Sequence, residues 1–407
     1  MATPDRTSDR LYDIGFFLVE AFASMEVTAV LIANARIAAT LGIRDELTSF
    51  ILNSYLYPLF AGMIVALALS RWIARNVPPM PYFISGLLVF SLGNILCSVA
   101  IMPATFFAGR MVMGLGAGVA FAGQIWTLSS FHYERITRPL VWGEIGAALG
   151  VVAGPMVGAL FASHSPEGWR HFFTLNAGMG LLTAVFAYAG LRDRKQVEIE
   201  PSGLPDGEVS RRLMRTMTAY QVAVSILIVG AEYFFSDHLQ HKAGKSPMFV
   251  GAMTVMASVG AVVGSLLAAH WVHLRNRIPV WSTLGLLGSL AAIAGCLGMG
   301  QFLLAGVPIF TAGLGMGMAS VSIYTAIVKA SRPDQFLSRS MIYLIAMQLG
   351  NALGVQAVGL SEIRHFGILA TALTLATVPT VIAIWAHFQG SLEPIAVPVI
   401  APLGEAE

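Results

Sequence analysis

Charge is scarce in this chain: of its 407 residues only 11% are Asp, Glu, Lys or Arg, while 56% are hydrophobic and the mean hydropathy is +0.72. A soluble domain carries about 25% charged residues, because water must wet most of its surface. A chain with less than half of that cannot present such a surface, so a lipid bilayer has to solvate much of it. Cysteine is nearly missing. Cys97 and Cys296 sit in separate apolar runs, which argues against a disulfide framework and offers no metal-binding spacing. There is no Asn-x-Ser/Thr sequon, and no G-x-S-x-G, H-E-x-x-H or P-loop, so catalysis and ATP hydrolysis find no support. An enzyme is not expected, nor is a cofactor or a resident metal. The formal net charge is only +2 and the basic residues form no footprint, which removes nucleic acid from the expected partners. The first apolar run is too long, and too rich in carboxylates, for a cleaved signal peptide, and reads as a retained span.

What the chain has in abundance is long apolar runs. A helix needs about 20 mainly apolar residues to cross the hydrocarbon. Such runs fall at 14–38, 48–70, 81–101, 104–128, 139–163 and 171–191, then at 214–236, 247–271, 279–299, 301–328, 338–360 and 366–387. Between the two sets lies the one long hydrophilic interior segment, 192–213 (LRDRKQVEIEPSGLPDGEVSRR). The expected fold is therefore an all-α membrane protein of twelve transmembrane helices. An N-terminal six-helix bundle (1–191) is joined by a linker (192–213) to a C-terminal bundle (214–388). A Pro-rich tail (389–407), expected to be mobile, follows. With the N-terminus inside, 17 of the 24 Lys and Arg residues fall on the cytoplasmic side. That asymmetry predicts both termini in the cytoplasm and an inner-membrane location.

The fifth run, GEIGAALGVVAGPMVGAL, repeats glycine every fourth residue at Gly146, Gly150, Gly154 and Gly158. One helix face is thus bare of side chains. Lipid gives apolar helices no hydrophobic reason to associate, so such a face serves close backbone approach. Pro155, within it, removes a backbone donor. Glycine pairs recur at 114/118, 260/264, 313/317 and 350/354. Generic small-residue packing accounts for any one pair.

Several segments together resemble one family. MEVTAVLIANARIAATLG (25–42) resembles the first-helix motif of the drug/proton antiporters of the major facilitator superfamily, with Glu26 in the acidic place. GRMVMGLGAG (109–118) resembles the fourth-helix motif, with Arg110 as its arginine. GAALGVVAGPMVGAL (146–160) is similar to the fifth-helix antiporter motif. GWRHFFTLNAGMGLL (168–182) resembles the W-R-x-x-F-x-x-N opening of the sixth helix. GLGMGM (313–318) and MQLGNALGV (347–355) are similar to segments of the tenth and eleventh helices in the multidrug-exporter branch. The resemblance implies the major facilitator fold, whose two halves rock about a substrate site near the midplane. Two departures stand out. The two additional central helices usual in that branch are missing. The loop motif after the second helix is degenerate in ALALSRWIARN (66–76), with Ser70 where Asp and Ile73 where Gly would stand.

Charges at bilayer depth are functional candidates by default. Glu26 lies about twelve residues, roughly 18 Å, into the first span. Taking a carboxyl out of water favours its neutral form, so Glu26 is a candidate for proton exchange, with Arg110 as the cation that opposes it. A permanent structural ion pair is the competing account. Glu20 is a third candidate for proton coupling; it lies about 240° around the helix from Glu26, so it faces other neighbours and lines the cytoplasmic half of the cavity. Arg36 and Glu232 lie near helix ends, where long side chains snorkel. Glu144 lies near the inner end of its helix. Asn34, Asn53, Tyr55, Gln124, Trp126, Gln348 and Asn351 are candidate substrate contacts; intramembrane amides also serve as glue between helices. The 19 methionines suit an adaptable apolar pocket as well as ordinary packing. Asp237, His238 and His241 have the donor types for zinc, but histidines in a wet loop are the simpler account; His270 and His273 invite the same caution. Protons, a small-molecule substrate and the bilayer are the expected partners of a monomer. The readings in play are proton-coupled efflux, import or facilitated passage of a specific metabolite, and a non-transporting sensor or assembly factor.

Overall fold

The computed structural model describes residues 6–132, 137–192, 208–270, 278–329, 331–332, 335–364 and 366–388. Most of the linker, the whole of the tail, His273 and the side chains of Glu144 and His270 lie outside the described residues. Every regular element among the described residues is helical. The first set comprises α1 (Arg6–Leu41), α2 (Thr48–Ala68), α3 (Ser70–Asn76), α4 (Pro79–Ser98), α5 (Pro103–His132), α6 (Thr137–His164) and α7 (Trp169–Leu191). The second comprises α8 (Glu208–Asp237), α9 (Pro247–His270), α10 (Ile278–Gly298), α11 (Gly306–Lys329), α12 (Phe336–Ile363) and α13 (Ile368–Phe388). Eleven described helices are long and apolar enough to cross a membrane, and α13 adds a shorter apolar stretch, Ile368–Ile382. Each of the twelve expected runs falls on one of these long helices. The short α3, set off by Leu69, had no counterpart in the sequence reading.

Helix ends are set where glycine allows a left-handed residue. Gly42 (φ +64°) follows α1, and the Ile43 amide donates back to the Ala38 carbonyl at 2.9 Å. Gly300 (φ +68°) does the same after α10, with Gln301 donating to Cys296 at 2.9 Å. Both are six-residue closures that satisfy carbonyls the helix would otherwise leave bare.

α1 packs along α6 and α7, α5 between α2 and α4, and α4 on α7. In the second set α9 packs on α11, α12 and α13 on α8, and α10 on α11 and α13. The two sets meet chiefly where α6 faces α9 and α2 faces α12.

Glycine makes the tight seams. A side chain at Gly146, Gly150 or Gly158 would overlap the carbonyl of Phe17, Ala21 or Ala29 on α1, and one at Gly154 would meet the Thr28 hydroxyl. In the same way Gly114 and Gly118 of α5 abut the carbonyls of Tyr55 and Leu59 on α2. Gly313 and Gly317 of α11 abut those of Ala257 and Ala261 on α9. Not every glycine is of this kind: Gly285, Gly288 and Gly295 of α10 have nothing within 4 Å of an added Cβ. Gly150→Leu is therefore expected to lower stability by about 1–3 kcal/mol through overpacking, read as a lower thermal midpoint in detergent. Gly288→Leu should leave that midpoint near wild type, and equal losses at both sites would defeat the seam argument.

Candidate functional site

Glu26 sits in α1 with 0% of its surface exposed, and α5 places Arg110 (1% exposed) against it. Arg110 Nη1 is ion-paired to Glu26 Oε1. Asn176 of α7, also fully buried, donates from Nδ2 to Glu26 Oε2 at 2.7 Å. Both carboxylate oxygens are thus satisfied by different helices. The guanidinium is held in turn: its Nε donates to the Ile51 carbonyl of α2 at 3.0 Å. It lies 4.9 Å from the Tyr55 ring centre and 5.9 Å from that of Phe173. Arginine is suited to this place, since its flat, weakly hydrated cation stacks on rings and still donates in its plane.

The W-R-x-x-F-x-x-N segment forms the back wall of this site. Trp169, Phe173 and Asn176 recur at helical spacing on one face of α7. Trp169 Nε1 donates to Thr40 Oγ1 at 2.8 Å, tying the start of α7 to the end of α1. Its ring meets Phe106 and Phe173 edge-on, with centroids 5.6 and 5.9 Å away. Arg170 turns outward to the carbonyls of Ser98 (3.2 Å) and Ala100 beyond the end of α4. Asn176 was quoted within the motif but not singled out; its place on the Phe173 face was the available signal.

The other candidates fall into three groups. Glu20 accepts from Gln124 Nε2 at 2.9 Å, joining α1 to α5 one and a half turns toward the chain start from Glu26. Tyr55 lies beneath Arg110, and Trp126 packs buried against Tyr82 with ring centres 5.8 Å apart. Asn34 and Asn53 lie where the two sets of helices meet. Asn34 Nδ2 donates to Tyr233 Oη at 3.3 Å, and Asn53 Nδ2 to Gln356 Oε1 at 3.0 Å; Tyr57 donates to the same oxygen at 3.0 Å. Gln348 and Asn351 are bonded to each other within α12 at 3.1 Å.

Pro155 has a consequence beyond α6. Lacking an N–H, it leaves the Val151 carbonyl without its partner four residues on. Ser258 of α9, in the other set of helices, donates its hydroxyl to that carbonyl at 2.8 Å. Gly251 of α9 lets the Pro155 carbonyl come close by the same face.

Glu232 lines a small pocket between α8, α9, α10 and α11, with mostly apolar neighbours. Asp237 pairs with His241 at 2.7 Å.

Because each charge of a buried pair leaves the other uncompensated when lost, Glu26→Leu or Arg110→Met alone should destabilise by about 3–5 kcal/mol. The double variant should recover most of that loss in thermal unfolding of the purified chain. Additive losses would show that the pair is not one unit.

The chain is similar to known proteins. The Multidrug resistance protein B homolog of Mycobacterium tuberculosis is 22% identical over 433 aligned residues, covering 89% of this chain and 78% of that protein. The Efflux pump aflT of Aspergillus parasiticus is 28% identical over 38% of this chain, and the match spans only 28% of that pump's length. Among solved structures, a bacterial homolog of the human lysosomal transporter Spinster superposes with a TM-score of 0.68. It covers 95% of this chain and 96% of its own at 15% identity, a likeness of fold. With residues 16–355 matching the Major Facilitator Superfamily, the chain belongs to that family of membrane transporters.

Proposed function

We propose that the protein is a secondary active transporter that exports small amphipathic or cationic organic compounds in exchange for protons, by alternating access. The observation that carries this reading is the Glu26–Arg110–Asn176 cluster, a charge relay point buried among three helices of one half. A proton arriving at Glu26 removes the charge that holds Arg110, while Arg110 keeps its bond to Ile51 and its seat on Tyr55. The strain of that change falls on α1. The same helix touches the second half through Asn34, eight residues on, and through the Leu31 carbonyl, which accepts from Ser236 at 3.3 Å. Glu26 chemistry and the contact between halves thus share one rigid rod.

The cavity face of this reading is Glu20 and Gln124 on one side, with Gln348 and Asn351 on the other. The halves divide at 192–213. The glycine face of α6, with Pro155, is the hinge surface against α1 and α9. The distribution of Lys and Arg favours an inner membrane location with both termini in the cytoplasm. The names of the relatives, an efflux pump and a multidrug resistance protein, favour the outward direction. One chain holds the whole cluster, so a monomer suffices.

The test uses the full chain in proteoliposomes with an imposed pH gradient and ethidium as the transported probe. Glu26→Gln should cut gradient-driven movement by about tenfold or more while downhill ethidium exchange persists. The wild-type rate should fall as pH is raised on the side that supplies protons. Gradient-driven transport that survives Glu26→Gln unchanged would sink the proposal.

A further inference from the structure

The α1–α2 and α8–α9 connections lie at the same end of the bundle, and near that end side chains join the two sets of helices. Asn34 donates to Tyr233 at 3.3 Å, Asn53 and Tyr57 each donate to Gln356 at 3.0 Å, and Ser236 donates to the Leu31 carbonyl at 3.3 Å. Every one of these bonds is between uncharged groups. The charges at this end lie a little further along the chain.

α8 alone among the described helices runs on into a π-helical turn, His238–Lys242, in which the Ala243 amide donates to the His238 carbonyl at 3.0 Å. Such turns are rare and fall mostly at functional places. Gly244 (φ +62°) closes this one, as the Lys245 amide donates to the Leu239 carbonyl at 2.8 Å. The turn is stapled toward the first half: Gln240 Nε2 donates to Ser236 Oγ at 2.9 Å, and that hydroxyl is the one bonded to Leu31. His241, the next residue, uses its Nδ1 on Asp237 Oδ1 at 2.7 Å. The His241 side chain is 32% exposed, so water and protons reach it, whereas Asp237 is buried.

A second carboxylate acts on His241 from the first half. Asp45, in the short turn Asp45–Leu47 after α1, attracts its charged form. The other charges nearby are directed elsewhere. Lys242 acts on His238, and Lys245 Nζ lies 5.1 Å from the Phe302 ring centre. Arg44 and Glu46, exposed beside Asp45, make no ion pair among the described residues. α9, packed on the π turn, carries no Asp, Glu, Lys or Arg, and Glu232 of α8 lies more than two turns back. Charged, His241 attracts a carboxylate in each half; neutral, it attracts neither, and the two carboxylates repel.

We infer that His241 is a pH-sensitive latch between the halves, whose imidazolium ties the end of α8 to the α1–α2 connection and whose neutral form releases it. Because the charged form gains from both carboxylates only while this end is shut, the shut form is favoured as pH falls through the histidine range, about 5 to 8. The uncharged bonds share the seam, so the latch biases opening without deciding it alone. The inference goes beyond the coupling assigned to Glu26 and does not require it, nor does it depend on which end faces the cytoplasm.

The experiment uses the full chain purified in detergent, where both ends meet the same pH and no transport is measured. Spin labels at Ile101→Cys and Leu303→Cys, exposed in the α4–α5 and α10–α11 connections at this end, report the separation of the halves. Cys97→Ala and Cys296→Ala remove the native thiols. The population at long separation should rise about twofold to fivefold between about pH 5.5 and 8, the scale of a partly exposed ion pair. His241→Gln should flatten that profile, and Asp45→Asn should flatten it while leaving the Asp237 pair in place. His241→Arg, a cation throughout, should hold the short separation at both pH values. Glu26→Gln should keep the wild-type step, which separates this result from the coupling test. A wild-type chain without the step, or a His241→Gln chain that retains it, overturns the inference.

Discussion

Glu26 has none of its surface exposed, in a bundle whose walls are mostly apolar, and a charge so placed persists only when other groups surround it. α5 brings Arg110, α7 brings Asn176, and α2 brings the Ile51 carbonyl and the Tyr55 ring that hold Arg110. Four helices are thereby fixed at one point. Such convergence demands backbones closer than ordinary side chains permit, which is what the bare faces of α5 and α6 provide. Gly114 brings α5 onto the Tyr55 carbonyl, one turn from Arg110, and Gly154 brings α6 onto α1 beside Met25. The polar cluster and the glycine seams are therefore two parts of one requirement.

The helices were legible because a span is a matter of length and apolarity, both of which a sequence displays directly. The pairing of Glu26 with Arg110 was legible for a related reason: few charges lie within the spans, so each has few partners to choose from. Direction around a helix was harder. Glu232 lies near a helix end by residue count, and depth alone favoured snorkelling; nothing within α8 says that Glu232 lines a pocket with residues of α9 and α11. Tyr55 and Trp126 carry polar tips that suit a ligand, yet the structure seats one under Arg110 and the other against Tyr82, partners drawn from other helices. Gln356 and Ser258 escaped notice altogether. Each bonds across the two sets of helices, and such pairs exist only once the sets are docked. The linker and tail lie outside the described residues, so the structure adds nothing to their reading.

The two halves share a scaffold more than a chemistry. The glycines at 114/118 and 313/317 perform the same service for their neighbours. Between them the polar residues differ: the first half holds a complete ion pair, while in the second Glu232 lines a small pocket with mostly apolar neighbours. Seams set the backbone spacing and tolerate no side chain, whereas the positions between them are free to vary. Fold and function are accordingly written in different residues of the same helices.

Pro155 shows how a missing atom can act as a connector. A helix ordinarily spends each main-chain carbonyl on itself, and so has nothing to offer a neighbour. By withholding one N–H, Pro155 turns the Val151 carbonyl into a socket, and Ser258 on the opposite half plugs into it. The socket belongs to the main chain, so no change to the Val151 side chain can remove it. Any residue that restores the amide at 155 would close it from within, as the helix reclaims its own acceptor. The proline is then less a bend than a reserved port. Whether the two halves are plugged together at this point depends on a serine hydroxyl that can be withdrawn without breaking a single helical bond.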